Sequence, residues 1–402
     1  MNNLMDAILD ACRSAGRSAD LSHELPTVIR LESGASRELA SYCRDADYAQ
    51  ILLVTDECCY EAVGRDVAAY AQEAGLRAHI VFIRLNAAGD VVADEASIVQ
   101  VLLEIQRLSA DACVALGSGT VHDIVRYAAY SSRIPFVSVP TAPSVDGFTS
   151  RGAPLIVRGE KITVPAIGPS AIFADLNILA AAPAPMIAAG FGDMLGKYTS
   201  LFDWQFGRLA AGEPYDPFVH EMTRQALQSC ADHAEEIGRG TKEGVAVLMR
   251  ALIESGIAML IFGQSHPASG GEHHLSHYWE MAFIRSGRRQ LLHGAKVGVA
   301  CSIIAELYKR VAADGLPPVR EGAEPHAAYR AAATHWAEIR KLAAALPDPA
   351  VIMALLRAAG GPADIGELGI DAELRDEALR EAHHVRPGRT TLLRVYNTAS
   401  QG

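Results

Sequence analysis

The sequence lacks an excess of basic residues. Lys and Arg together number 36, against 47 Asp and Glu, so the formal net charge is −11 at pH 7. This balance argues against nucleic acid or an anionic membrane surface as the main partner. A local basic pocket for a small phosphate is still compatible with it.

Regularly spaced cysteine pairs are also missing. The seven cysteines are scattered along the chain, and no two of them form a CxxC pair. This pattern is typical of reduced thiols in a cytosolic protein, and we interpret all of them as packing residues. The sequence therefore predicts a cytoplasmic protein.

Long hydrophobic runs are the third absence. No uninterrupted apolar stretch reaches about 18 residues, the length that a transmembrane helix needs. The N-terminal sequence MNNLMDAILDACRSAG has no basic region followed by a long apolar run. We therefore expect neither a transmembrane helix nor stable membrane insertion.

The first half of the chain alternates short β-rich runs with helical segments. Hydrophobic residues make up 50% of the sequence, which is enough for a large core. The β-rich runs are Thr27–Leu31, Ile51–Thr55, Ala78–Ile83, Ala112–Leu116 and Phe136–Pro140. Alternation at this spacing indicates βαβ units and a mainly parallel sheet. Two further β runs around Arg158-Gly159-Glu160 indicate a hairpin.

The second half has a different character. From about Ala180 the β signal disappears, and long helical patterns rich in Ala, Leu and Glu follow. We therefore predict an α/β domain over residues 1–180 and an all-α domain over residues 181–402. A cleft between two such domains is a usual place for a small-molecule site.

A glycine-containing turn follows one of the apolar strands. The sequence Leu116-Gly117-Ser118-Gly119-Thr120-Val121-His122-Asp123 ends a predicted strand and opens a predicted helix. Glycines let the backbone approach a phosphate, and the N–H groups and dipole of a helix start favour negative charge. The turn is a candidate phosphate site, although many strand-to-helix turns share this pattern. It is shorter than the GxGxxG fingerprint of Rossmann domains.

Polar residues follow two other predicted strands. Asp56 ends one strand, where a carboxylate can accept hydrogen bonds from a ribose diol or can cap the next helix. After the strand that ends at Pro140, prolines and a glycine make a rigid turn rich in hydroxyl groups. Its candidate site residues are Thr141, Ser144, Asp146 and Ser150. The alternative is an ordinary surface loop.

Histidines concentrate near residue 280. His273 and His277 are four residues apart and share a helix face, whereas His274 points elsewhere. His293 stands at a predicted helix start. Imidazole nitrogens suit Zn²⁺, Ni²⁺ or Fe²⁺, but two imidazoles leave such an ion needing an anionic oxygen ligand.

Asp193 is the candidate for that oxygen ligand. It stands among apolar and small residues at the start of a predicted helix, where a buried carboxylate needs a partner. Lys197, one helical turn later, shares its face. The alternative interpretation of Asp193 is a helix N-cap, and the alternative for each histidine is a packed or surface residue.

Five motifs together resemble one family. GSGTVHD, TAPSVDGFTS, FGDMLGKYTS, GGEHHLSHYWE and LLHGAKVG occur in the order seen in sn-glycerol-1-phosphate dehydrogenases, and the chain looks most like the bacterial branch. The broader superfamily contains iron-type alcohol dehydrogenases, glycerol dehydrogenases and dehydroquinate synthases. The chain departs from the family at Gly271, where Ser is common, at Gly196, where Ala is common, and at Ala295, where Glu is frequent. None of these is a candidate ligand.

The resemblance implies a dehydroquinate synthase-like architecture, in which a Rossmann-like nucleotide-binding α/β domain precedes an all-α domain that binds metal and substrate. It implies a metal ion bound by Asp193, His273 and His293. Asp146 and His277 match substrate-contacting positions, and Asp193 is placed to touch both metal and substrate. His277 and Asp193 are therefore the candidate catalytic residues. The positions that match the nicotinamide cofactor site are Asp56, Gly117, Ser118, Gly119, Thr120, Val121, Thr141, Ser144 and Ser150.

The implied reaction is the reversible reduction of dihydroxyacetone phosphate to sn-glycerol 1-phosphate. It would use NAD(H) or NADP(H) and one divalent metal ion, zinc or nickel, and would act on a small phosphorylated triose. Asp56 should repel a 2′-phosphate and so favours NAD, but nearby Lys or Arg residues could compensate, so the choice between NAD and NADP stays open. The product would feed glycerophospholipid or prenylglyceryl lipid synthesis. The family also implies a homodimer or larger homo-oligomer.

Alternatives remain at the level of the sequence. The nearest is an NAD-dependent glycerol or polyol dehydrogenase of the same superfamily. A dehydroquinate synthase is disfavoured because that family prefers Glu where Asp193 stands. A non-catalytic metal- or nucleotide-binding protein would be excluded by detectable turnover. Lys197, Lys296 and Arg289 are candidates for binding the substrate phosphate, with no basis for choosing among them.

Overall fold

The computed structural model describes residues 4–16, 25–319 and 326–400. The strands are β1 (Val28–Glu32), β2 (Gln50–Thr55), β3 (Arg77–Phe82), β4 (Ala112–Gly117), β5 (Phe136–Pro140), β6 (Gly152–Val157), β7 (Glu160–Pro165) and β8 (Ala171–Asp175). The helices are α1 (Leu4–Ser14), α2 (Leu39–Asp45), α3 (Glu57–Cys59), α4 (Arg65–Glu73), α5 (Glu95–Leu108), α6 (Gly119–Ser132), α7 (Leu176–Ala180), α8 (Ala184–Leu195), α9 (Lys197–Ala211), α10 (Pro217–Asp232), α11 (Ala234–Gly238), α12 (Lys242–Phe262), α13 (Gly271–Arg285), α14 (His293–Asp314), α15 (Ala327–Thr334), α16 (Trp336–Ala344), α17 (Pro349–Ala358), α18 (Ala372–Glu381) and α19 (Leu392–Ser400).

Six strands form a parallel sheet in the order β1-β8-β5-β4-β2-β3. Alternate residues of β2 belong to different hydrophobic clusters: Leu52 and Val54 to one, Ile51 and Leu53 to the other. Both faces of the sheet are therefore covered, which explains why its central strands are almost wholly apolar. The predicted fold class, an α/β region followed by a helical region, is confirmed.

Two strands lie outside this sheet, and one strand within it was not predicted. β6 and β7 form the predicted antiparallel hairpin, whose turn holds Arg158 and Gly159 at φ of 53° and 79°. β8 was missed because its sequence, AIFAD, contains a single β-branched residue, Ile172. It nevertheless lies between β1 and β5 in the sheet.

The chain forms two compact units. The first contains the described residues of Met1–Ile187 and Gly240–Gln264, and the second those of Ala188–Arg239 and Ser265–Gly402. The sequence analysis divided the chain once, between residues 180 and 181, and assigned α12 to the helical domain. In the structure α12 belongs to the first unit, because helical periodicity predicts a helix but not the element against which it packs.

Two contacts of α12 explain its place in the first unit. Ser255 Oγ donates a 2.7 Å hydrogen bond to Asp146 Oδ2. A Cβ at Gly256 would lie 2.4 Å from Thr149 Cβ, so only a glycine permits this approach to the loop after β5.

Within the described residues, α12 is also the helix long and apolar enough to cross a membrane, yet 72% of its apolar window is buried. Such burial is typical of a core helix, and length and composition alone are weak evidence for a membrane span.

Candidate functional site

Asp193, His273 and His293 lie close together in the second unit. Asp193 is in the last turn of α8, His273 is in the first turn of α13, and His293 is the first residue of α14. One ligand atom from each lies within 4.8 Å of the other two. His273 Nε2 is 3.8 Å from Asp193 Oδ1, and the His273 and His293 ring centroids are 5.2 Å apart. These residues, named the metal group below, have the proximity that a shared metal ion needs.

Two glycines bring the backbones of α8 and α14 together. A Cβ at Gly294 would lie 1.8 Å from the carbonyl oxygen of Ala189, and a Cβ at Gly192 would lie 2.4 Å from the carbonyl oxygen of Gly294. Because Gly192 precedes Asp193 and Gly294 follows His293, this approach sets the two side chains beside each other. The sequence analysis expected Asp193 at the start of a helix. In the structure it lies near the end of α8. The N-cap alternative therefore does not apply to it.

The chemistry of the metal group fits a divalent transition metal. Asp193 is fully buried, and His273 is 6% exposed. One carboxylate oxygen and two imidazole nitrogens form a donor set that Zn²⁺, Ni²⁺ and Fe²⁺ accept, and it leaves coordination positions for substrate oxygens.

Lys197 contacts the carboxylate of the metal group. Its Nζ donates to the backbone oxygen of Asp193 at 3.0 Å and to Asp193 Oδ1 at 3.1 Å, with both side chains fully buried. The ammonium compensates a carboxylate charge that would otherwise be costly to bury. Of the other cations considered for the substrate phosphate, Lys296 Nζ donates to Glu280 Oε2 at 3.1 Å. Arg289 is exposed.

Glu272, to which the sequence analysis gave no role, contacts His273 directly. Its Oε1 lies 2.7 Å from His273 Nδ1. Burial raises the pKa of the Glu272 carboxyl, but hydrogen bonds from His273, Thr199 and Gly270 outweigh burial and hold that pKa below its ordinary value. The sequence signal that could have indicated a role for Glu272 is its position directly before the candidate ligand His273 in the motif GGEHHLSHYWE.

The other two histidines of α13 differ in their surroundings. The ring centroid of His277 lies 6.2 Å from that of His273 and 5.9 Å from that of His293, so His277 faces the metal group. His274 is fully buried elsewhere, and neither ring nitrogen has a hydrogen-bond partner among the described residues. Burial lowers the pKa of His274 to about 3, so this ring is neutral. The sequence analysis expected His274 to point away from the helix face that His273 and His277 share.

The glycine-containing turn lies in the first unit, between β4 and α6. A Cβ at Gly117 would lie 2.7 Å from Val121 Cγ2, and a Cβ at Gly119 would lie 2.7 Å from Val145 Cγ2. Both positions therefore need glycine for packing alone. Ser118 occupies the N-cap position of α6 without making a side-chain cap. The backbone N–H groups of Gly119, Thr120 and Val121 thus open the helix, as in turns that bind phosphate.

His122 ties this turn to the sheet. Its Nδ1 lies 2.9 Å from the carbonyl oxygen of Ser118, and its Nε2 lies 2.8 Å from Ser138 Oγ in β5. Because a carbonyl oxygen only accepts, Nδ1 carries the hydrogen and Nε2 accepts from the serine hydroxyl. Burial lowers the pKa of His122 to about 3, in keeping with a neutral ring. The sequence analysis quoted His122 in its motif but gave it no role.

Asp56 and Thr141 directly follow β2 and β5, so both lie at the carboxyl end of the parallel strands. Thr141 N donates to the carbonyl oxygen of Gly117 at 3.1 Å, and Thr141 Oγ1 is 3.4 Å from Cys59 Sγ. Asp56 caps α3 by accepting from Cys59 N at 2.9 Å. This bond uses Oδ1, so the cap accounts for one carboxylate oxygen, and contact with a ribose stays a prediction.

A buried arginine of α6 donates hydrogen bonds to the backbone of the loop after β5. Arg126 is fully buried and donates to the backbone oxygens of Gly147 at 2.6 Å and Gly152 at 2.9 Å. Ser144, Asp146 and Ser150 are 6%, 7% and 7% exposed. Their burial argues against the alternative of an ordinary surface loop.

Known proteins resemble the chain over nearly its full length. It is 46% identical to a glycerol-1-phosphate dehydrogenase (NAD(P)+) from Geobacillus stearothermophilus, with 99% of this chain and 98% of the relative covered. It is 42% identical to the protein of the same name from Bacillus subtilis (strain 168), covering 99% of this chain and 97% of the relative. The chain belongs to the glycerol-1-phosphate dehydrogenase family. The family described as iron-containing alcohol dehydrogenase also matches residues 30–183.

Solved structures agree on the fold of this glycerol-1-phosphate dehydrogenase family member. A probable glycerol dehydrogenase from Sinorhizobium meliloti 1021 has a TM-score of 0.68 at 17% identity, covering 93% of this chain and 95% of that chain. At this identity the likeness concerns the fold alone.

The predicted cofactor residues and Asp146 belong to the first unit, whereas the metal group and His277 belong to the second.

Proposed function

We propose that this protein catalyses the reversible reduction of dihydroxyacetone phosphate by NADH or NADPH to sn-glycerol 1-phosphate. The metal group carries the proposal, because a buried carboxylate and two imidazoles converge in a chain that is 46% identical to a glycerol-1-phosphate dehydrogenase. In the forward direction the ketone gains a hydride and a proton. The product is the alcohol, and NAD(P)+ is released.

Asp193, His273 and His293 would hold one divalent ion, for which we propose zinc or nickel. When bound, such an ion supplies Lewis-acid polarisation of a carbonyl oxygen, worth several kcal/mol in the transition state. Lys197 orients the Asp193 carboxylate through its 3.1 Å contact with Oδ1.

The cofactor would be held by the first unit. The backbone N–H groups of the Gly117–Val121 turn suit the pyrophosphate, and Asp56 suits the ribose hydroxyls through its Oδ2 oxygen. Thr141, Ser144 and Ser150 offer hydroxyl groups for the rest of the dinucleotide. NAD(P)H supplies the hydride.

Asp146 and His277 would bind the substrate hydroxyls. The 2.7 Å hydrogen bond from Ser255 to Asp146 Oδ2 fixes the orientation of that carboxylate. Reduction of a ketone develops negative charge on its oxygen, which must be protonated. We assign His277 to this proton transfer, because its ring faces the metal group and an imidazole can act as a proton donor.

The decisive experiment measures turnover with defined substrates. Protein loaded with Zn²⁺ or Ni²⁺ should oxidise NADH or NADPH when dihydroxyacetone phosphate is added. In reverse, it should reduce NAD(P)+ with sn-glycerol 1-phosphate but not with sn-glycerol 3-phosphate, the matched enantiomer. Lack of turnover with both metals would reject the proposal. Faster reaction with unphosphorylated glycerol would instead favour a polyol dehydrogenase.

The cellular setting follows from the same reaction. We propose a cytoplasmic homo-oligomer, a dimer or larger, whose product enters glycerophospholipid or prenylglyceryl lipid synthesis. The acidic net charge of −11 agrees with a freely diffusing metabolic enzyme. Size-exclusion chromatography with light scattering would measure the oligomeric state.

A further inference from the structure

The side chains of Glu272 and His273 touch although the residues are adjacent in sequence. Neighbouring residues of a helix normally point in different directions. Here the contact forms in the first turn of α13, where the carboxylate of Glu272 folds back towards the helix start. Glu272 Oε1 accepts from Gly270 N at 2.7 Å, as acidic residues of a first turn often do. The same oxygen lies 2.7 Å from His273 Nδ1.

A third donor fixes the carboxylate from another helix. Thr199 Oγ1, in α9, donates to Glu272 Oε2 at 2.6 Å. Glu272 is fully buried, and a Cβ at Gly270 would already lie 3.0 Å from Oε2. The carboxylate therefore has a fixed position and a fixed set of donors.

This arrangement determines the hydrogen position on His273. An ionised carboxylate only accepts, so the contact requires a hydrogen on Nδ1. In a neutral ring Nε2 then keeps its lone pair. Nε2 is also the nitrogen that lies 3.8 Å from Asp193 Oδ1, on the side of the metal group.

We propose that Glu272 is a positioning residue that holds His273 in the Nδ1–H tautomer and directs the Nε2 lone pair to the metal group. The inference rests on the proposed function, because it takes the metal group as a working metal site. A carboxylate behind a ligating histidine fixes its orientation and raises its basicity, and losing one typically weakens metal binding by about 10- to 100-fold.

The test compares the Zn²⁺ affinity of chelator-stripped proteins by competition with a chromophoric chelator. Glu272→Ala should weaken Zn²⁺ binding by about 10- to 100-fold. Glu272→Gln should lose less, because its amide oxygen still accepts from Nδ1 without the negative charge. A Zn²⁺ affinity of Glu272→Ala equal to that of the wild type overturns the inference.

Asp203 provides a matched control at the same helix start. It is fully buried, and its Oδ2 accepts from Gly271 N at 2.7 Å, directly beside the Glu272 network. Asp203→Asn should lower the midpoint of thermal unfolding while leaving the Zn²⁺ affinity of the folded protein unchanged. If Asp203→Asn weakens Zn²⁺ binding as much as Glu272→Ala, the effect comes from the helix start and the positioning role fails.

Nitrogen NMR of protein labelled in its histidine rings reads the tautomer without metal. The metal-free wild type should show a His273 ring protonated at Nδ1, assigned by its disappearance in His273→Gln. Glu272→Ala should lose that signal, and an unchanged Nδ1–H signal contradicts the inference even if the variant is less stable. Failure of the proposed function is distinguishable, since a wild type that binds no Zn²⁺ removes the metal site itself.

Discussion

Replacing His122 with phenylalanine removes a buried hydrogen-bond bridge and keeps a planar ring in its place. The fully buried His122 ring joins the Ser118 carbonyl oxygen at 2.9 Å to Ser138 Oγ at 2.8 Å. The carbonyl keeps its bond from the backbone nitrogen of residue 122, but the hydroxyl of Ser138 loses its hydrogen-bond partner among the described residues. A buried polar group left unsatisfied costs about 1–3 kcal/mol, so His122→Phe should lower the free energy of unfolding at pH 7 by about that amount.

The difference between His122→Phe and the wild type should shrink in acid. Burial lowers the pKa of His122 from 6.5 to about 3, so a proton binds the unfolded chain first. The contribution of His122 is therefore complete above pH 6.5 and is lost as the pH falls from 6.5 towards 3. Each pH unit in this window removes about 1.4 kcal/mol from the contribution of His122 to the free energy of unfolding, which only the wild type has. About 2 kcal/mol of that contribution is therefore lost by pH 5.

Urea unfolding at pH 7 and pH 5, followed by circular dichroism, measures this change. Ser138→Ala is the control, because it removes the same hydrogen bond between His122 and Ser138 but keeps the titrating ring. It should therefore keep the acid dependence of the wild type. A gap between the wild type and His122→Phe that stays constant from pH 7 to pH 5 would refute a neutral, buried His122. The variant should also raise the KM for NADH, because Ser118 belongs to the predicted phosphate turn.

Three further predictions concern the metal group and the cofactor. Gly294→Ala should weaken Zn²⁺ binding at least tenfold in chelator competition, because its Cβ would lie 1.8 Å from the carbonyl oxygen of Ala189 and must displace His293; unchanged affinity would contradict the close packing of α8 and α14. Asp193→Asn should abolish Zn²⁺ retention on gel filtration, and full retention with full turnover would reject Asp193 as a ligand. Asp56→Ala should raise the ratio of NADPH to NADH efficiency about fivefold, since about 1 kcal/mol of repulsion between a carboxylate and a 2′-phosphate is removed; an unchanged ratio would place Asp56 away from the ribose.

The sequence predicted those parts of the protein that local patterns encode. Alternating apolar runs indicated the parallel strands, and Gly117 and Gly119 marked a turn that their packing does require. The histidine spacing indicated that His273 and His277 share a helix face, and their rings do converge with His293. These features depend on residues near one another in sequence, or on a motif that repeats a known spacing.

Contacts between distant segments could not be predicted in the same way. Ser255 reaches Asp146 only because α12 returns to the first unit, and periodicity within α12 does not specify that return. Thr199 and Glu272 meet through the packing of α9 on α13, which no spacing reveals. His122 had a weak signal, since a histidine on an otherwise apolar helix face indicates a buried ring with two bonds to satisfy.

Opposite charges behind two of the proposed ligands give the metal group a defined electrostatic balance. Lys197 donates to Asp193, and Glu272 accepts from His273, so a cation contacts the carboxylate ligand and an anion contacts an imidazole ligand. With neutral histidines, the formal charges of Asp193, Glu272 and Lys197 sum to one negative charge, which favours capture of a cation. A divalent ion would reverse the sign of that sum, and the loaded group would then attract an anionic triose phosphate. Removing Lys197 would leave two anionic carboxylates and cancel this reversal, so we expect Lys197 to favour substrate attraction without having to touch the phosphate.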